Sequence, residues 1–137
     1  MKRYLGIDYG NRRIGLAISD PMGIIAKPFK IIDRKKIFNY YGEIIEIVKN
    51  HNIKKIIVGL PLSLNGTHSE QTNIVINFIE ELKSKVNIPI LSLDERLSSI
   101  AAIKSLREQK IKTNYEKGTI DETAAAIILQ EYLETKS

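Results

Sequence analysis

The chain has 137 residues, 43% of them apolar, and no cysteine. That length suits one domain spanning residues 1–137, able to bury roughly two-thirds of its unfolded surface; the lack of cysteine excludes disulfides and thiolate metal sites. Lys and Arg outnumber Asp and Glu by 21 to 16, a formal net charge of +5 that favours an anionic partner, nucleic acid first.

The basic residues are scattered (Arg12-Arg13, Arg34-Lys35-Lys36, Lys54-Lys55, then Lys104 to Lys112), so charge alone also fits an ordinary solvated surface. No apolar run approaches the ~20 residues of a membrane span. Met1-Lys2-Arg3 leads directly into a strand without a signal-peptide pattern. The expectation is a cytoplasmic protein with no membrane contact.

Along the chain, Tyr4–Asp8 and Arg13–Ser19 read as two strands joined by a turn over Tyr9–Arg12. Pro21-Met22-Gly23 breaks the chain, and Ala26–Ile32 alternates as a third strand. From Phe38 to about Asn50, Ile44, Ile45 and Val48 recur at helical spacing. Lys55–Gly59 is a short apolar strand of the kind buried on both faces, followed by a loop, Leu60–His68, with Pro61 and an Asn65-Gly66 turn. Ile74, Val75, Phe78, Ile79, Leu82 and Val86 form a core-facing helical stripe. Pro89–Leu93 is another buried strand and Ser98–Gln109 another helix. A basic loop, Lys110–Gly118, precedes a last helix over roughly Ile120–Leu133.

A three-strand meander followed by right-handed crossovers predicts an α/β fold with a mixed sheet flanked by helices. This succession resembles the ribonuclease H-like architecture, a five-stranded sheet of order 3-2-1-4-5. Sites in such sheets form beyond the carboxyl ends of the parallel strands. Asp8 stands at one such end, and Asp94 and Glu95 at another.

An Asp where an apolar strand meets solvent costs desolvation unless it is solvated, paired or metal-bound. Asp8 is therefore a candidate metal ligand, with a turn-capping Asx residue as the competing reading. Phosphodiester hydrolysis needs an activated water and charge neutralisation, which a pair of Mg²⁺ or Mn²⁺ ions can supply. Three or four acids from separate segments suffice to hold them: Asp8, Asp94, Glu95 and Asp121. For Asp121 the alternative is helix capping, since Thr119 to Glu122 reads as a capping box.

Arg96 is suited to a bidentate phosphate contact or, equally, to a salt bridge with a nearby acid. Thr67 and the amides of its loop could touch substrate, or close an ordinary tight loop. His51 and His68 lack partners at zinc-ligand spacing, and no nucleophile-elbow motif is present.

Four motifs taken together resemble the YqgF/RuvX family: Gly6-Ile7-Asp8-Tyr9-Gly10 with Arg13-Ile14-Gly15-Leu16-Ala17; Val58-Gly59-Leu60-Pro61-Leu62 with Asn65-Gly66-Thr67; Asp94-Glu95-Arg96-Leu97-Ser98; and Asp121-Glu122-Thr123-Ala124-Ala125-Ala126-Ile127-Ile128-Leu129-Gln130. They follow in order over nearly the whole chain. The resemblance implies a divalent-metal nuclease. Family members are described as Holliday-junction resolvases and as nucleases maturing the 5′ end of the small-subunit ribosomal RNA precursor. It also implies Asp8, Asp94, Glu95 and Asp121 as the acidic positions, with Glu95 preferred to Asp94 as direct ligand. RuvC resolvases differ in placing an acid at the end of strand 4, where this chain has Gly59-Leu60-Pro61, and a second acid where it has Gly118.

The resulting expectation is an endonuclease holding two Mg²⁺ or Mn²⁺ ions on Asp8, Glu95 and Asp121. Arg12, Arg13, Thr67, Arg96 and the Lys104–Lys117 region would contact precursor ribosomal RNA in preference to junction DNA. Ribosomal particles are expected partners, and the chain is expected to be a monomer or homodimer. A nucleic-acid-binding or ribosome-assembly module without catalysis is the competing class. A sugar-kinase or actin-like ATPase would need a second lobe that this length does not hold.

Overall fold

The computed structural model describes residues 3–97, 99–100 and 117–136, with the backbone alone described at 97 and over 117–123. Strands β1 (Arg3–Tyr9), β2 (Arg13–Ser19), β3 (Ala26–Asp33), β4 (Ile53–Leu60) and β5 (Ile90–Asp94) form one sheet in the order β3-β2-β1-β4-β5. The meander pairs antiparallel, β1 with β2 and β2 with β3. The crossover strands pair parallel, β1 with β4 and β4 with β5. Helices α1 (Tyr40–Asn50), α2 (Glu70–Lys83) and α3 (Lys117–Thr135) flank it, with a 3-10 turn over Glu95–Leu97. The succession of the described elements and the strand order agree with the ribonuclease H-like expectation.

Side-chain alternation along the strands divides the core into two layers. Leu5, Ile7 and Tyr9 of β1, with Ile56 and Val58 of β4, pack on Ile44 and Ile47 of α1 and on Val75, Phe78 and Leu82 of α2. Tyr4, Ala17 and Ile57 face the opposite way, onto Ala125, Ile128, Leu129 and Leu133 of α3. Gly6 sets how near α3 comes to β1. A Cβ there would lie 2.7 Å from Leu129 Cβ and 2.9 Å from the Ala125 carbonyl, so the close approach needs a residue without a side chain.

The strands other than β2 differ from the sequence reading by one or two residues at their ends, and β5, read as buried, is an edge strand in which Ile90 alone is buried. Two helix starts differ as well. The Asn39 side chain accepts the Gly42 N–H at 3.1 Å, so α1 starts at Tyr40 and Phe38 stays outside it. Helix α3 starts at Lys117, so Thr119 lies inside the helix rather than at its cap, and Lys117 and Gly118 are helical rather than loop. The predicted helix Ser98–Gln109 and the basic residues Lys104 to Lys112 lie outside the described residues. Among the described residues no helix is long and apolar enough to cross a membrane.

Candidate active site

The site is built on the face of the sheet that α3 covers. Tyr4 and Gly6 of β1 both meet α3, so Asp8, two residues further on, continues the same face at the carboxyl end of the strand. Its side chain is almost fully buried, with 3% exposure. Ile7 pairs with Val58, which sets Gly59 of β4 beside Asp8; Gly59 in turn pairs with Leu93 of β5. Leu93 packs into the α3 layer, and Glu95, two residues beyond it, is 5% exposed.

Gly59 is what admits Glu95 to this layer. A Cβ at position 59 would lie 2.5 Å from Glu95 Oε2 and 2.6 Å from Ile128 Cδ1. The carboxylate of Glu95 thus reaches over the end of β4, into space that any side chain on Gly59 would occupy. Asp8 and Glu95 come from strands on either side of Gly59 and share one buried layer.

Position 121 follows from the run of α3. The Tyr132 ring stands 5.9 Å from that of Tyr4, while Leu129 and Ala125 meet Gly6. Moving along β1 towards Asp8 therefore means moving towards the start of α3. Position 121, one turn before Ala125, is on the same helix face. The Asp121 side chain itself lies outside the described residues.

Asp94 and Arg96 are engaged with each other. Arg96 Nε donates to Asp94 Oδ1 at 3.1 Å and Nη2 to Oδ2 at 2.7 Å, and the Arg96 N–H donates to Oδ1 at 3.0 Å. These bonds hold the Asp94 carboxyl below the usual carboxylate range and raise the Arg96 guanidinium. Arg96 Nη1 also donates to the Leu64 carbonyl at 3.2 Å, tying the loop after β4 to the end of β5. Within that loop Thr67 Oγ1 donates to Asn65 Oδ1 at 2.8 Å, and the Thr72 hydroxyl of α2 donates to the Pro61 carbonyl. Asp94 is therefore turned towards Arg96, whereas Glu95 is turned into the sheet layer.

Arg12 and Arg13 flank the turn after Asp8. Arg12 is half-exposed and approaches Asp33 at 3.8 Å; Arg13 opens β2 opposite Asp33. The sequence reading did not single out Arg34, which locks this turn. Its Nη1 donates to the carbonyls of Gly10 at 3.0 Å and Asn11 at 2.9 Å, and its guanidinium lies 4.8 Å from the Tyr9 ring and 5.1 Å from that of Tyr40. Tyr9 and Tyr40 share a hydroxyl contact of 3.0 Å, and burial together with that contact pushes the Tyr9 hydroxyl well above its usual range. In the sequence Arg34 is one member of an Arg-Lys-Lys run; its role depends on the β2–β3 register.

Among the described residues no three His, Cys, Asp or Glu side chains come together as a metal cluster. What they do provide is oxygen-only: two buried carboxylates, Asp8 and Glu95, with Gly59 leaving room between them. Such a set suits a hard divalent cation that retains several waters.

The family model of RuvX, described as a Holliday junction resolvase, matches residues 2–135. A Desulforamulus reducens protein named "Putative pre-16S rRNA nuclease" is 39% identical over 133 residues, covering 97% of each chain. A Maridesulfovibrio salexigens protein of the same name is 43% identical, covering 96% of this chain and 97% of the relative. Among solved structures, Thermus thermophilus RuvC in complex with a Holliday junction superposes with a TM-score of 0.59 at 10% identity, covering 97% of this chain and 94% of that one. The fowlpox virus resolvase in complex with junction DNA gives 0.56 at 15% identity, with 97% of each chain covered. At these identities the structural likeness is one of fold.

Proposed function

The chain belongs to the RuvX family, a family of nucleases, and on that footing we propose that it is a divalent-metal-dependent endonuclease that processes the 5′ end of precursor 16S ribosomal RNA in the cytoplasm. The observation that carries the reading is the pair of buried carboxylates, Asp8 and Glu95, delivered to one layer from the carboxyl ends of β1 and β5. The names of the curated relatives support the RNA substrate.

In this reading Asp8, Glu95 and Asp121 hold the metal, which when bound supplies an activated water and neutralises charge developing on the phosphate. Glu95 suits that task because its side chain, one methylene longer than that of Asp, crosses the end of β4 to Gly59. It supplies from β5 a carboxylate at the strand-4 end, where RuvC resolvases carry an acid of their own. Asp94 takes part by orienting Arg96. Three of the five guanidinium N–H groups of Arg96 are engaged with Asp94 and Leu64, which leaves two for a substrate phosphate. Arg12 and Arg13 add phosphate contacts beside Asp8, and Thr67 presents an exposed hydroxyl from the loop that Arg96 holds.

The deciding experiment is cleavage of a labelled ribosomal RNA precursor and of a four-way DNA junction, each with Mg²⁺, Mn²⁺ or EDTA, by wild type and Asp8→Asn. The expected result is metal-dependent cutting of the RNA that is lost in Asp8→Asn. Cutting of the junction alone would transfer the function to recombination. Cutting that survives Asp8→Asn would overturn the carboxylate site.

A further inference from the structure

Phe38 is 89% exposed, and its place in the chain explains why none of the neighbouring described residues covers it. It precedes the N-cap Asn39, where an apolar residue ordinarily packs against the fourth residue of the helix. Here that residue is Glu43, whose carboxylate is taken by Lys30 at 3.2 Å. No apolar staple is available, and the ring remains in water.

The loop that presents Phe38 is firmly built. The N–H groups of Lys36 and Ile37 donate to the Asp33 carbonyl at 3.0 and 2.9 Å, and the Lys35 N–H donates to Asp33 Oδ1 at 3.0 Å. The Arg34 N–H reaches the Arg12 carbonyl at 2.8 Å, while its guanidinium holds Gly10 and Asn11. β3 runs parallel to β1 with β2 between them, so its carboxyl end stands on the same edge as Asp8. β1 and β3 themselves are two inter-strand spacings apart, about 10 Å, and the loop runs on from Asp33 through Ile37 to α1, on the sheet face opposite α3. The two adjoining turns carry Arg12, Arg13, Arg34, Lys35 and Lys36 against one acid, Asp33. Neither lysine makes an ion pair among the described residues.

We infer that this stretch is a subsite for an unpaired nucleotide of an RNA strand, with Lys35 and Lys36 on its phosphates and the Phe38 ring stacked on its base. The inference rests on the nuclease reading above and narrows the substrate to one with a single-stranded segment. Charge complementarity selects a polyanion, because an apolar protein partner would have to desolvate both lysines without compensation. An exposed aromatic ring among cations selects an unpaired base, whose face a duplex would keep within its own stack.

The chain has no tryptophan, so Phe38→Trp creates a single tryptophan reporter at the site, excited apart from the six tyrosines. In the Asp8→Asn background, with EDTA present, that protein is titrated with oligouridine, with the same strand annealed to oligoadenosine, and with oligothymidine. Oligouridine is expected to quench the tryptophan and the duplex to leave it unchanged. By anisotropy of a labelled strand, Phe38→Ala is expected to bind oligouridine about tenfold more weakly. Lys35→Ala and Lys36→Ala should each flatten the salt dependence by about 0.7. Equal binding by wild type and Phe38→Ala, or equal quenching by strand and duplex, would overturn the subsite. Quenching by oligothymidine alone would overturn the RNA assignment. The catalytic reading fails separately, through absence of metal-dependent cutting by wild type, and quenching by oligouridine would then still uphold the subsite.

Discussion

The two faces of the sheet are built on opposite principles. On the face of α1 and α2, large side chains fill the layer: Phe78 stacks on Tyr9 at 4.1 Å between ring centroids, and Leu5, Ile7, Leu16 and Ile56 are fully buried. On the face of α3, Tyr4, Ile57, Ile128 and Leu129 also bury apolar surface, but Gly6 and Gly59 in the strands and Ala125 in the helix leave out side chains at the points of closest approach. The first face provides the larger share of apolar burial. The second gives up side-chain volume so that a helix and two carboxylates fit against the strand ends, and both buried acids of the described site lie there. Stability and the proposed chemistry thus depend on different sides of the same five strands.

This contrast can be broken experimentally. The largest expected effect is on stability: Phe78→Ala removes a fully packed ring from the α1–α2 layer and should cost about 3–5 kcal/mol. Urea denaturation measures the loss, and cleavage per folded molecule should hardly change. A proportional fall in specific activity would show that the two faces are not independent.

Asp8→Asn should behave in the opposite way. Removing one preorganised charge from the proposed centre should lower cleavage by about 10²–10³-fold, with the melting temperature maintained or raised because a buried carboxylate becomes a neutral amide. A large drop in melting temperature would make Asp8 a structural residue.

The two glycines separate closeness from chemistry. Gly6→Ala puts a Cβ against the Ala125 carbonyl and Leu129 Cβ, neither of which can swing away, whereas Gly59→Ala meets the ends of two side chains, Glu95 and Ile128. Overpacking of this kind costs about 1–3 kcal/mol. Gly6→Ala should lie at the upper end of that range. Gly59→Ala should lose less stability but more activity, because it displaces Glu95. Denaturation and cleavage assays on both variants test this, and equal activity losses would sink the distinction.

The smallest effect concerns pH. The Asp94 carboxyl is lowered in the folded state, chiefly by its hydrogen bonds from Arg96, so its contribution to stability is present above the unfolded carboxylate value of about 3.9 and is lost as pH falls through the lower folded value. The Asp94–Arg96 contact should therefore be insensitive to pH from neutrality down to about 4. A titration of the Asp94 carboxyl by NMR checks this; a midpoint above the unfolded value would show that the pairing does not form.

The α2 stripe, the alternating strands and the carboxyl-end positions of Asp8 and Glu95 were legible because each depends on residues close together in the chain, where a period of 3.6 or 2 reports which side is buried. The two readings left open for Arg96 show the limit of that logic. A guanidinium two residues from a carboxylate suits a phosphate and a salt bridge equally, and the fold brings it onto Asp94 and Leu64. Arg34 was hidden for a related reason, since its partners Gly10 and Asn11 are brought near only when β3 pairs with β2.

Local pattern therefore determined the described strands and helices, their order and which acids stand at strand ends, and the resemblance carried by that succession supplied the strand order. Tertiary structure alone decided that α3 closes on Gly6, that Glu95 reaches across Gly59 while Asp94 turns to Arg96, and that Phe38 stands exposed beyond the carboxyl end of β3. The physical reason is range. Hydrophobic period and cap chemistry act over a few residues, whereas the absence of a side chain at Gly6 or Gly59 matters only through what the rest of the chain brings against it.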